Sequence, residues 1–383
     1  MREPRAVLLL VLAYLGFAAI GLPDGLLGVA APSMRAQFGI APGEIGVLLA
    51  AFTAGYLAAS FASGRLLGRF GVGPVLVWSC VATGVSLFGY ATAPHWAVLL
   101  AWAPLSGLGA GAIDAGLNTF AATRHGVRTL NWLHACYGVG VTLGPLVMGA
   151  VLVAGRPWTT GYVAVGAAQL VLALAFAVTR RHWPPPAEHH EGGGIATAVA
   201  TLRAPRVLAG VLTFATYTGI EAAAGVWAYS LFTTSRGVSE GVAAACVAAY
   251  WASFTVGRFL LGFLAERVPL RAFLRGAIAT MVAGAAVLWL APGLLGLAGL
   301  VLLGVGCAPV FPSLMSATPA RVGGAHAANA IGFQICGATV GQSALPALVG
   351  ALAASRGFEV LGPVLCVATV MLFLLHEGLR PRR

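Results

Sequence analysis

Residues 107–145 read GLGAGAIDAGLNTFAATRHGVRTLNWLHACYGVGVTLGP, and the fold turns on them. By period this is the inner half of one apolar helix, a short basic turn, and the start of a second helix running outward. The first helix carries Asp114 and Asn118, four apart and therefore on one face. The second carries Asn131, His134, Gly138 and Thr142, also at helical spacing. Between them lies Arg124-His-Gly-Val-Arg128. An acid, two amides and an imidazole are costly at membrane depth, so within spanning helices they mark a functional site.

The composition supplies the spans. Of 383 residues, 59% are hydrophobic and 9% charged, with a mean hydropathy of +0.90. Soluble domains carry about 25% charged residues, so the chain reads as an integral membrane protein. The run from Ala6 to Ala31 is too long for the apolar core of a signal peptide and reads as the first span. Twelve runs reach roughly the 20 residues a bilayer crossing needs, the first over 6–34 and the last over 358–377. Frequent Gly and Ala suit close helix contacts, and the runs are far longer than barrel strands.

A net charge of +11 would suggest nucleic acid in a soluble protein. Here topology explains it, and no nucleic-acid partner is expected. All 22 basic residues are Arg. With both termini cytoplasmic, 18 fall on the inner side and only Arg35, Arg156, Arg236 and Arg356 on the outer, as the positive-inside rule requires. The expected location is a plasma membrane of the bacterial inner-membrane kind. Six Cys lie in apolar runs without paired spacing and give no disulfide or metal framework.

One long polar segment, with RRHWPPPAEHHEGGG in it, divides the chain into halves at 1–179 and 207–383, with a cytoplasmic linker at 180–206. The halves repeat. Shifted by 197, LPDGLLGV around Asp24 lands on GIEAAAGV around Glu221, and 107–124 lands on 304–321. At 198, Gly64–Arg69 lands on Gly262–Arg267. The expected fold is an all-α membrane protein: twelve transmembrane helices in two pseudo-symmetric six-helix halves around a central cavity. Parallel repeats of this kind are a transporter plan with substrate near the midplane.

The chain's two Asp residues both lie inside spans. Pro23 disfavours a regular helix just before Asp24, and nearby glycines leave room around the carboxylate. Burial penalises the charged form of a carboxylate, so such an acid can take up a proton on one side and release it on the other. Asp24 and Asp114 are the proton-coupling candidates, each weighed against a structural acid paired within the bundle. Glu221 is a third, alternatively a hydroxyl acceptor or an interhelix hydrogen-bond partner. Tyr217 shares its face one turn away. Asn118, Asn131, His134 and Gln334 offer the neutral donors and acceptors that polyol hydroxyls need. Trp227, two turns beyond Glu221, is placed to stack on a sugar face. Tyr137 lies about 120° from the Asn131–His134 face and points at another helix, by the helical period.

The pattern resembles the major facilitator superfamily. Gly64-Arg-Leu-Leu-Gly-Arg-Phe-Gly71 and Gly262-Phe-Leu-Ala-Glu-Arg267 are similar to its cytoplasmic signature after spans two and eight. The resemblance implies a cytoplasmic gate from Gly64, Arg65, Arg69, Arg124, Glu266 and Arg267. The first copy lacks the acid, with Gly68 in its place. Within the superfamily the chain resembles the fucose permease-like sugar:proton symporters. Asp24 in LPDGLLG, Asp114 and Asn118 in IDAGLNTF, Leu130-Asn-Trp-Leu-His134 with Tyr137, Tyr217-Thr-Gly-Ile-Glu221, and Ala308-Pro-Val-Phe-Pro312 carry this likeness. It implies proton-coupled symport of a sugar or similar small polar solute by alternating access. Asp24, Asp114 and Glu221 would handle protons. Asn118, Asn131, His134, Tyr137, Tyr217, Trp227 and Gln334 would contact substrate. No cofactor beyond the proton gradient is expected: a phosphate-binding G-x-x-x-x-G-K-[ST] loop needs a Lys the chain lacks. The expected partners are a sugar-like small molecule, protons and the bilayer, with the protein a monomer. Efflux of amphipathic drugs or metabolites by proton antiport stays open, as does a non-transporting receptor or scaffold.

Overall fold

The structure, a computed structural model, describes residues 3–124, 127–183, 198–265 and 267–379. Among them, twelve stretches are long and apolar enough to cross a membrane. The chain forms two compact units: one of Met1–Ile40 with Val47–His190, the other of Ala41–Gly46 with Glu191–Arg383.

In the first unit the helices are α1 (Glu3–Phe38), α2 (Pro42–Phe70), α3 (Val72–Thr92), α4 (Trp96–Arg124), α5 (Val127–Val153) and α6 (Thr159–Thr179). The opening turn of α2 belongs with the second unit. Within the first, α1 packs mainly on α5, and α3 lies between α4 and α6. Glycine makes the α1–α5 contact possible. Gly140 sits against the Ala18 carbonyl, and a Cβ added at Gly144 would fall 2.6 Å from Gly25 Cα. Small residues let the two backbones approach this closely in an apolar medium.

The second unit contains α7 (Ala198–Leu202), α8 (Pro205–Ser230), α9 (Glu240–Ala265), α10 (Leu270–Leu290), α11 (Gly296–Cys307), α12 (Val310–Val322), α13 (Gly324–Arg356) and α14 (Leu361–Gly378). Its pairing repeats that of the first unit: α8 packs on α13, while α10 contacts α11 and α14. Here Gly341 sits against the Ala215 carbonyl, as Gly140 does against Ala18. The tenth span is broken into α11 and α12 around Ala308 and Pro309. Pro309 and Pro312 each lack the N–H that would continue the ladder. The freed Ala308 carbonyl accepts Arg258 Nε at 3.3 Å instead.

Pro23 does not interrupt α1, contrary to the sequence expectation: the helix runs through it. The missing N–H would have bonded the Ala19 carbonyl. That carbonyl accepts Gln169 Nε2 from α6 at 2.8 Å, so the backbone group orphaned beside Asp24 is satisfied from another helix.

Two charged clamps close the ends of the second unit. Arg236 donates to Glu359 through Nε and Nη2, both at 2.9 Å, and to the Leu288 carbonyl at 2.8 Å. At the other end, Arg271 and Arg275 from α10 both pair with Glu377 on α14. Beside them, Arg321 approaches the buried His376 at 3.3 Å.

Candidate functional site

In the first unit the structure gathers most of the polar residues that the helical spacing singled out. Tyr56 on α2 donates its hydroxyl to Asp114 Oδ2 at 2.8 Å, and Asn118 Nδ2 donates to Oδ1 at 3.0 Å. Both oxygens of this half-buried carboxylate are therefore met by neutral donors. His134 on α5 lies within electrostatic reach of Asp114 and packs edge-on against Phe17, ring centres 5.3 Å apart. Asp24 on α1 is accessible and accepts the Tyr137 hydroxyl at 2.9 Å. Tyr137 thus does turn to another helix, and the helix is the one bearing the other aspartate. Backbone at Asn131 is described as part of α5, but its side chain lies outside the described residues, as does that of Arg124.

The arrangement has a chemical consequence. An acid held by an arginine keeps its charge, because protonating it strands the cation in low dielectric. An acid held by hydroxyl and amide donors can lose its charge without stranding one. The two hydrogen bonds of Asp114 are of the second kind, and the His134 imidazole within its electrostatic reach is exposed. The same hydroxyl, amide and imidazole groups can donate to and accept from a polyol.

The second unit builds a different environment around Glu221. This residue is 6% exposed, and its carboxylate lies within electrostatic reach of Arg258 and of the Tyr217 hydroxyl. Tyr217 itself is fully buried and donates to the Cys307 carbonyl, at the break in the tenth span, at 2.9 Å. Tyr250 donates to the Glu221 backbone carbonyl at 3.0 Å. Arg258 lies over the Phe254 ring, 4.1 Å from its centre. The positive-inside count had absorbed Arg258 as a cytoplasmic residue, although it sits inside the eighth span. Its position between Gly257 and a phenylalanine, four residues before the second loop signature, was the available signal.

Other expected contacts are placed elsewhere. Trp227 is fully buried, donates Nε1 to the Pro346 carbonyl at 2.8 Å and stacks on Phe358. Gln334 is 3% exposed and accepts the Thr318 hydroxyl at 2.8 Å. The structure does not join either residue to Glu221 by a described hydrogen bond. Of the residues expected at a cytoplasmic gate, Arg65, Arg69 and Arg267 are exposed, and a Cβ at Gly64 would meet nothing within 4 Å. Glu266 lies outside the described residues. Gln169 and Tyr56, by contrast, were not anticipated from sequence. They lie 150 residues from Ala19 and 58 from Asp114, and no local spacing joins them.

Comparison with known proteins agrees with this architecture. The sequence pattern of the Major Facilitator Superfamily matches residues 13–333 and 209–383. The fucose:proton symporter FucP of E. coli superposes with a TM-score of 0.68 at 18% identity, over 100% of this chain and 99% of that one. A bacterial homologue of the human lysosomal transporter Spinster reaches 0.79 at 16% identity, over 98% of both chains. The nucleoside transporter NupG, as a variant, gives 0.79 at 14%, over 97% of this chain and 99% of that one. Bypass of stop codon protein 6 of Saccharomyces cerevisiae is 26% identical over 196 residues, 47% of this chain. The chain matches 38% of the length of that relative. With twelve apolar spans, two units of the same internal pairing, and a family pattern across both, the chain belongs to the Major Facilitator Superfamily.

Proposed function

We propose that the protein is a proton-coupled symporter of a sugar or similar small polar solute, working by alternating access without a cofactor. The observation that carries this reading is the pair of aspartates in the first unit, each held by a tyrosine hydroxyl, with Asn118 on Asp114. Asp114 can be protonated without leaving a buried cation behind, and the surrounding donors suit hydroxyl groups. Asp24 and Asp114 handle the proton, while Asn118, Asn131, His134 and Tyr137 contact the solute. Glu221 lies within electrostatic reach of Arg258, which suits a charge-balanced solute contact better than a freely titrating acid. The fold likeness to FucP supports the family plan, and its substrate is carried to this chain as part of the proposal. The protein acts as a monomer in a bacterial inner membrane with both termini cytoplasmic.

Uptake-linked pH change in proteoliposomes tests this, with a panel of sugars and of amphipathic drugs. One sugar should alkalinise the medium, and Asp24→Asn and Asp114→Asn should each abolish the response. Proton movement with drugs alone would sink the sugar reading. One observation favours that rival: an apolar groove of about 410 Å³ on the second unit, lined by Leu208, Val211, Leu212, Phe333 and Val340. Such a surface suits an amphipathic solute, and efflux by proton antiport is the second reading.

A further inference from the structure

The first unit holds a small, partly open cavity beside Asp24, with room for about one water. Asp24, Thr83, Ser106 and Gln169 supply its polar lining, and apolar side chains of α1, α2 and α4 complete it. Two of these residues carry an orphan polar atom. Thr83 Oγ1 and Gln169 Oε1 are buried without a hydrogen-bond partner among the described residues. Thr83 is 2% exposed and Gln169 0%.

The orientation of the Gln169 amide is fixed by its partner. The Ala19 carbonyl can only accept, so Gln169 must present Nε2 to it and Oε1 elsewhere. Flipping the amide would set two acceptors against each other. Thr83 also has an alternative, because helical threonines can return their hydroxyl to the carbonyl four residues back. Thr119, Thr142, Thr179 and Thr213 all do so, and Thr83 does not. A buried acceptor or donor left unmet is costly, so two at one cavity call for a guest.

We propose that this cavity is a site for one ordered water, held by Thr83 and Gln169 against Asp24. The water donates one hydrogen to Gln169 Oε1, accepts the Thr83 hydroxyl hydrogen, and keeps its second hydrogen for Asp24. Three partners are usual for a buried water. An all-oxygen lining could also hold a sodium ion, with the Thr83 oxygen as a ligand and its hydrogen on the Ser79 carbonyl, and the sodium-free buffer of the test separates the two guests. Pro23 sets up the arrangement. By removing the donor to Ala19 it calls Gln169 into place, one residue before the acid that the water serves. Thr83 and Gln169 are then positioning residues for Asp24. This role rests on the proton-coupling reading above, whereas occupancy of the site does not.

The test is a density map of the full-length protein at a resolution that shows ordered water, prepared in sodium-free buffer. A peak within hydrogen-bond distance of both Thr83 Oγ1 and Gln169 Oε1 is expected. It should vanish in the near-isosteric Thr83→Val and in Gln169→Met, with Thr83→Val deciding if the second variant does not fold. An empty cavity, a Thr83 hydroxyl turned to the Ser79 carbonyl, or a peak seen only with sodium would each overturn the proposal. In proteoliposomes both variants should lose most proton movement yet keep exchange of labelled solute. Equal loss of both activities would mark the residues as merely structural. Wild-type protein that moves no protons would instead end the proton-coupling reading and leave the map to decide the site.

Discussion

Asp114 has two side-chain donors, Tyr56 and Asn118, one on each oxygen. A hydrogen bond to a charged group contributes about 1.5–3 kcal/mol, and about 1.4 kcal/mol is a tenfold change in an equilibrium. Tyr56→Phe should therefore lower proton-coupled uptake by roughly tenfold, since the ring remains and only the hydroxyl is lost. Both residues act on the same carboxylate, so in an Asp114→Asn background Tyr56→Phe should add little. Initial uptake rates of the two single variants and the double variant check this; independent, multiplying losses would show that Tyr56 works through something other than Asp114. At this scale the sequence was legible along each helix and illegible across helices. Spacing put Asn118 on the face of Asp114, where the structure has it. It could not show Tyr56, because helical period says which side of a helix a residue occupies and not which neighbour meets that side. For the same reason Arg258 was counted by charge alone, and its place within electrostatic reach of Glu221 emerged only from packing.

Between helices, glycine decides how closely the elements approach. Tertiary packing here cannot draw on a hydrophobic difference between core and lipid, so shape dominates. Gly144→Ala places a methyl group where Gly25 Cα stands at 2.6 Å, and overpacking of this kind costs about 1–3 kcal/mol. Gly276→Ala is the control: it lies inside α10 with nothing within 4 Å of a new Cβ. Removing a helix-interior glycine there should be neutral or stabilise by up to about 1 kcal/mol. Thermal unfolding of the purified protein in one detergent separates the two, and a Gly144→Ala protein as stable as wild type would show that α1 and α5 slide apart freely. Twelve spans could be counted from apolar runs because length and hydropathy are local properties. The passage of α1 through Pro23 could not, since it depends on Gln169 supplying the lost partner. The division of the tenth span into α11 and α12 follows from Pro309 and Pro312, which the sequence displays.

Orientation is a property of the whole chain, set by where its arginines fall. By the sequence count 18 of 22 would fall on the cytoplasmic side and four opposite, although Arg258, one of the 18, lies inside a span. One of the four, Arg236, is 5% exposed at its side chain and committed to Glu359 and two backbone carbonyls. It therefore serves as a clamp in the packed protein, and under the expected orientation the outer face would present still less positive charge than the count implies. On the side expected to face inward, Arg271 and Arg275 share Glu377, but acids weigh little in the positive-inside bias, so that pairing does not alter the sign. The duplicated plan sharpens the expectation, because two parallel repeats of six spans must both enter from the same face. Alkaline phosphatase joined after Arg156 or Arg356 should consequently be active, being exported. Joined after Arg267 or Leu379 it should be inactive, while a fluorescent protein at those same junctions should mature. Phosphatase activity after Arg267 would invert the second repeat relative to the first, and with it the parallel-repeat basis for pairing Asp24 with Glu221.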